Sequence, residues 1–119
     1  GEHEKRGSNE AAHRLKAAGV DLIDCSAGGS ARVKAPAASG YLVPFAERIR
    51  READIPTAAV GLINEVDQAN QIIRDERADL VLLGRELLRD AEWAQRAARQ
   101  VRGKAGDLLP PQYRWTLEP

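Results

Sequence analysis

Three short segments combine residue types that could hold an anion. In Gly84-Arg85, a glycine that leaves its backbone N–H uncovered precedes a guanidinium with a planar fork of donors. A helix-forming run follows, and helix N-termini carry partial positive charge, so one reading of the pair is a phosphate cradle. The other reading is structural: a glycine turns the chain after a strand, and an exposed arginine opens a helix somewhat against its dipole. Gly61 and the run Ser26-Ala27-Gly28-Gly29 are chemically similar, because each follows an apolar run and permits close approach of backbone to a ligand.

No nucleophilic or metal-binding constellation accompanies these segments. Cys25 lies within an apolar run, where a buried inert thiol is the default over a nucleophile. His3 and His13 fall in or near an N-terminal helix, and one cysteine with no clustered His/carboxylate set gives no metal site. Asp21 and Asp79 stand at the starts of apolar runs, and Asp24 lies inside one, where a hydrogen-bond partner would be needed if it pointed inward. None of the three is read as catalytic. Trp93, at helical spacing from Ala97, reads as core.

Alternating elements must position these residues. Residues 1–8 (GEHEKRGS) read as a disordered lead-in, after which Ser8 or Asn9 caps a helix from about Glu10 to Ala18, with Ala11, Ala12, Leu15 and Ala18 at helical spacing. VDLIDCS (20–26), IPTAAVGLI (55–63) and ADLVLLG (78–84) are short, nearly continuous apolar runs that predict buried strands. Between them, 27–41 reads as a long loop and Pro44 opens a helix to about Arg51. Asn64 caps another helix bearing Val66, Ala69, Ile72 and Ile73. Arg85 to Arg102 reads as one helix with Leu87, Leu88, Trp93, Ala94, Ala97 and Val101 inward, and 104–119 as an irregular tail. The order α-β-α-β-α-β-α indicates an α/β protein with a parallel sheet covered by helices. A closed parallel barrel needs eight strands and typically about 250 residues, so three strands in 119 residues suggest part of one.

Composition narrows the class. Lys+Arg and Asp+Glu are both 18, so the formal net charge is zero and neither a nucleic-acid footprint nor an anionic-membrane partner is expected. No apolar stretch reaches the roughly 18–20 residues of a spanning helix, and no secretory h-region follows the N-terminus. A single cysteine excludes an internal disulfide framework, and a cytoplasmic protein is expected.

The segments VDLIDCSAGG, GYLVPFAERIRREADIPTAAVGLI and ADLVLLGRELLRDAEWAQRAAR together resemble the C-terminal part of the old yellow enzyme family, closest to its bacterial NADPH dehydrogenase (ene-reductase) branch. The resemblance covers roughly residues 11–115. It implies a partial TIM (β/α)8 barrel, about strands six to eight, over residues 9–103, with FMN bound at the strand C-termini and NAD(P)H as reductant. It places Gly84 and Arg85 on the FMN phosphate, Gly61 facing the same region, and Ser26, Gly28 and Gly29 lining the cofactor side. Arg114 and Trp115 correspond to an intersubunit position, although their register departs from the usual form. The resemblance also implies that the substrate-anchoring His pair and the tyrosine proton donor lie on earlier strands, since His3, His13, Tyr41 and Tyr113 match neither motif. The expected function is that of a C-terminal portion of an FMN-dependent oxidoreductase. The alternative is a stand-alone partial barrel serving as a binding or assembly module, or a non-catalytic remnant. Either self-association or an N-terminal barrel portion would cover the open sheet edges.

Overall fold

The computed structural model describes residues 2–26, 38–101 and 110–117. In chain order they form α1 (Glu2–Ala17), β1 (Ile23–Cys25), α2 (Val43–Ala53), β2 (Thr57–Ala59), α3 (Val66–Arg74), β3 (Leu80–Val81), α4 (Arg85–Arg89) and α5 (Trp93–Gln100). A 3-10 helix follows at Pro111–Leu117. The chain divides into two compact units, Gly1–Leu83 and Gly84–Pro119.

In the first unit the three strands make a parallel sheet in the order β1-β2-β3. Ile23 pairs with Thr57, Asp24 with Ala58 and Leu80 in one row, and Cys25 with Ala59 and Val81 in the next. Paired residues of a parallel sheet share a face. Thr57 and Ala59 are fully buried, and Thr57 Oγ1 donates to Ala46 O at 3.2 Å, so their face lies against α2. Alanines at 46 and 59, both without exposed surface, let helix and strand approach closely. A second cluster joins α1 to α2 through Ala12, Ala53 and Ile55, with Ile23 and Ile49 packed against it. The opposite row carries an exposed Asp24 and Leu80, which is 52% exposed. Asp24 therefore meets solvent and needs no internal partner.

Several boundaries differ from those expected. Helix α1 begins at Glu2, within the segment read as a disordered lead-in, because GEHEKRGS contains no proline to stop it. Of its expected apolar stripe only Ala12 is buried, while Leu15 is 45% exposed. Lys16 instead reaches the end of α2, its Nζ donating to Asp54 O at 2.6 Å, where a cation offsets the negative end of the helix. The strands are shorter than their apolar runs, and Ile55 and Ile63 are buried just outside β2. Glu65, one residue beyond Asn64, is the N-cap of α3. The Asn64 N–H lies against Gln68 Oε1 at 3.4 Å, so the first turn closes from within the helix.

In the second unit the single helix expected from Arg85 to Arg102 is two. Asp90 ends α4 with φ −137° and ψ 90°, and its Oδ1 accepts the Glu92 N–H at 3.2 Å. An aspartate that bonds nearby backbone groups competes with the helical pattern and stops it. Its other oxygen pairs with Arg96 on α5. Trp93 is buried as expected, whereas Leu87, Leu88 and Val101 are exposed.

Candidate functional site

The loop that leaves β2 has an unusual backbone. Gly61 has φ +112° and Leu62 φ +52°, two consecutive left-handed residues. A Cβ on Gly61 would stand 2.9 Å from Tyr41 Cε1 and 3.3 Å from Leu42 Cδ1, so both conformation and space select glycine there. The Gly40 N–H donates to Gly61 O at 3.0 Å, tying the segment before α2 to this loop. Among the described residues, no acceptor takes the N–H of Gly61 or Leu62. Ser26 is exposed directly after β1, the strand beside β2. Gly28 and Gly29 lie outside the described residues.

β3 leads into Gly84 two residues after Leu82, whose N–H still bonds Ala59 O at 2.8 Å. In the second unit Gly84 is the exposed N-cap residue of α4, with φ −98° and ψ −94°. A Cβ there would meet nothing within 4 Å, so no packing among the described residues demands glycine. Arg85 is exposed at the first position of α4. Glu86, the nearest carboxylate along the chain, bonds Arg89 at 3.2 Å instead. Arg85 thus keeps a guanidinium with no partner among the described residues, next to an uncovered glycine backbone. This donor set fits a phosphate: a cation, an open peptide and no side chain occupying the space.

Cys25 and the Asp79–Arg50 pair serve the fold. Cys25 is a free, buried thiol, and burial first, with Asp24 second, pushes its pKa up to about 11. At neutral pH almost none of it is thiolate, so it is no nucleophile. Asp79 accepts the Thr57 N–H at 2.9 Å and Arg50 Nε at 3.0 Å. Burial pushes its carboxyl up, but these two hydrogen bonds and the Arg50 charge outweigh it and hold Asp79 below the usual carboxylate range. The Asp79 hydrogen bond, then its charge, raises Arg50 in turn. His13 is exposed on α1, and among the described residues no group of three or more His, Cys, Asp or Glu could hold a metal. No helix among the described residues is long and apolar enough to cross a membrane. Arg114 is exposed in the 3-10 helix Pro111–Leu117, which also contains Trp115. The Tyr41 brace on Gly61 and the contacts of Ser39 and Gln68 around it were not visible in the sequence, because about twenty or more residues separate the partners.

A family model described as the NADH:flavin oxidoreductase / NADH oxidase family matches residues 2–104. The chain is 53% identical over 87 residues to an NADPH dehydrogenase of Listeria monocytogenes, covering 73% of this chain and 26% of that protein. It is 54% identical over 90 residues to an NADPH dehydrogenase of a Geobacillus species, covering 76% and 26%. An NADPH dehydrogenase of Halalkalibacterium halodurans is 49% identical over 87 residues, again 26% of its length. The chain therefore spans about a quarter of the length of these relatives. With the match covering most of its residues, this chain belongs to the NADH:flavin oxidoreductase / NADH oxidase family, the old yellow enzyme family that its strand-end motifs resemble.

Proposed function

We propose that this chain supplies the FMN-phosphate end of an FMN-dependent oxidoreductase that uses NADPH, with its sheet as strands six to eight of a (β/α)8 barrel. The carrying observation is Arg85, exposed and unpaired among the described residues, beside the open backbone of Gly84 directly after β3. Gly84 and Arg85 bind the phosphate; for Gly61 the resemblance implies a place facing the phosphate region, and for Ser26, Gly28 and Gly29 one on the cofactor side. Bound FMN would supply the hydride-accepting ring. The residues of this chain bind and orient it, while substrate anchoring and proton donation belong to other parts of the relatives' length. An intersubunit contact through Arg114 and Trp115 is part of the same reading. Flavin fluorescence during an FMN titration tests it: Arg85→Ala should weaken binding by roughly 10- to 100-fold, the value of charge-assisted hydrogen bonds to phosphate. Equal binding by the variant and the parent would contradict the assignment.

A second reading, self-association, draws on Leu80, 52% exposed on β3, and on the outer edges of β1 and β3. Unpaired strand edges and exposed apolar residues invite pairing with another chain. Light scattering should give a mass above the 13.0 kDa of one chain, and Leu80→Lys should shift it toward the monomer. A sharp monomer peak for the parent, with cooperative unfolding, would rule this out.

A further inference from the structure

Leu62 carries a side chain yet sits at φ +52°, next to Gly61 at +112°. Non-glycine residues adopt that region rarely, and such conformations persist where the surroundings over-determine them, commonly at ligand sites. Here the surroundings are few and identifiable. Ser39 Oγ donates to Leu62 O at 3.0 Å, and Gln68 Nε2 donates to Ser39 Oγ at 2.8 Å. Gln68 belongs to α3, and its Oε1 lies 3.4 Å from the Asn64 N–H. The Gly40 N–H completes the strap at Gly61 O. Ser39 is the joint of this arrangement. Its one hydroxyl proton goes to Leu62 O and a lone pair receives Gln68, so it links the loop after β2 to a helix. Ser39 is also exposed, so its hydroxyl can be deleted without opening a cavity in the core.

We propose that Ser39 is a positioning residue for the phosphate end of the cofactor site: it holds the Gly61–Leu62 backbone in the shape that presents its N–H groups to the anion, with Gln68 as its anchor. This rests on the reading of Gly61 as part of the FMN-phosphate site. A residue whose only role was to hold the fold would, when altered, lower thermal stability and affect all flavins alike. Ser39 acts on the phosphate alone.

The test compares the full chain with Ser39→Ala, Ser39→Thr and Arg85→Ala, measuring affinity for FMN and for riboflavin, thermal unfolding, and amide hydrogen exchange at residues 61–64 without flavin. Ser39→Ala should weaken FMN by about 3- to 10-fold, the range for one lost hydrogen bond, and leave riboflavin within about 2-fold. Exchange at Asn64, whose N–H meets Gln68 Oε1, should quicken while the unfolding midpoint stays in place, and Ser39→Thr, which keeps the hydroxyl, should behave as the parent. Unchanged FMN affinity in Ser39→Ala, or an equal loss for both flavins, overturns the proposal. If Arg85→Ala weakens FMN while Ser39→Ala does not, the positioning role fails and the phosphate reading stands. If the parent shows no preference for FMN over riboflavin, both fall.

Discussion

Gly61→Ala should lower the stability of the chain by about 2–4 kcal/mol. Two separate costs add. At φ +112° an alanine lies outside the narrow left-handed region open to L-residues, a penalty on the order of 1–3 kcal/mol. Its Cβ would also approach Tyr41 Cε1 to 2.9 Å and Tyr41 Cδ1 to 3.2 Å, closer than carbon atoms pack, which adds overpacking of about 1–3 kcal/mol less whatever the ring relieves by moving. Leu42 Cδ1 at 3.3 Å limits that movement, and Leu42 is itself buried. Urea denaturation checks the total. The double variant Gly61→Ala with Tyr41→Ala separates the parts, because removing the ring relieves the contact and leaves the dihedral cost. If Gly61→Ala unfolds at the parent's midpoint, neither the left-handed dihedral nor the Tyr41 contact constrains this position.

Asp79→Ala should cost about 1–3 kcal/mol, and most of that comes from a backbone group rather than from the Arg50 ion pair. Thr57 has no exposed surface, and its N–H donates to Asp79 Oδ2 at 2.9 Å, so truncation leaves a buried donor without an acceptor. The Arg50–Asp79 pair is about one-third exposed on each side, and pairs of that kind contribute roughly 0–1 kcal/mol. Asp79→Asn keeps an acceptor for Thr57 and should recover most of the loss at neutral pH. Acidity supplies a second readout. The folded pKa of Asp79 lies below its unfolded value of about 3.9, so its contribution is fully present above that pH and fades as pH falls through the folded pKa. The stability gap between parent and Asp79→Asn should therefore close below about pH 4. A gap that persists or widens in acid would assign the effect to something other than the Asp79 charge.

The sequence was most informative where a pattern is local. Apolar runs located all three strands in order, but not their lengths, because hydrogen-bonded pairing ends while burial continues at Ile55 and Ile63. Its place at the start of an apolar run kept Asp79 from being read as catalytic, and its bond to Thr57 shows what it does there. Long-range decisions were less legible. Composition favours helix through Arg85 to Arg102, and only the competing bonds of Asp90 reveal the break. Gly61 was recognisable as a glycine after a strand, yet the requirement for it comes from Tyr41, twenty positions earlier. Ser39 and Gln68, 29 residues apart, carry no motif at all. For Arg85 the residues alone offered both a cradle and a surface arginine, and only the resemblance favoured the cradle. The structure adds that Glu86 turns to Arg89 and leaves the Arg85 guanidinium without that carboxylate.

In the proposed site, Arg85 and its neighbouring glycine hold the phosphate of FMN. Riboflavin is the same flavin without that phosphate, so calorimetric affinities of the parent and of Arg85→Ala for the two ligands isolate the contact. The parent should prefer FMN over riboflavin by roughly 10- to 100-fold, and Arg85→Ala should reduce the preference to a few-fold without weakening riboflavin. A folded parent that binds the two flavins equally, or a variant that keeps the full preference, would contradict it.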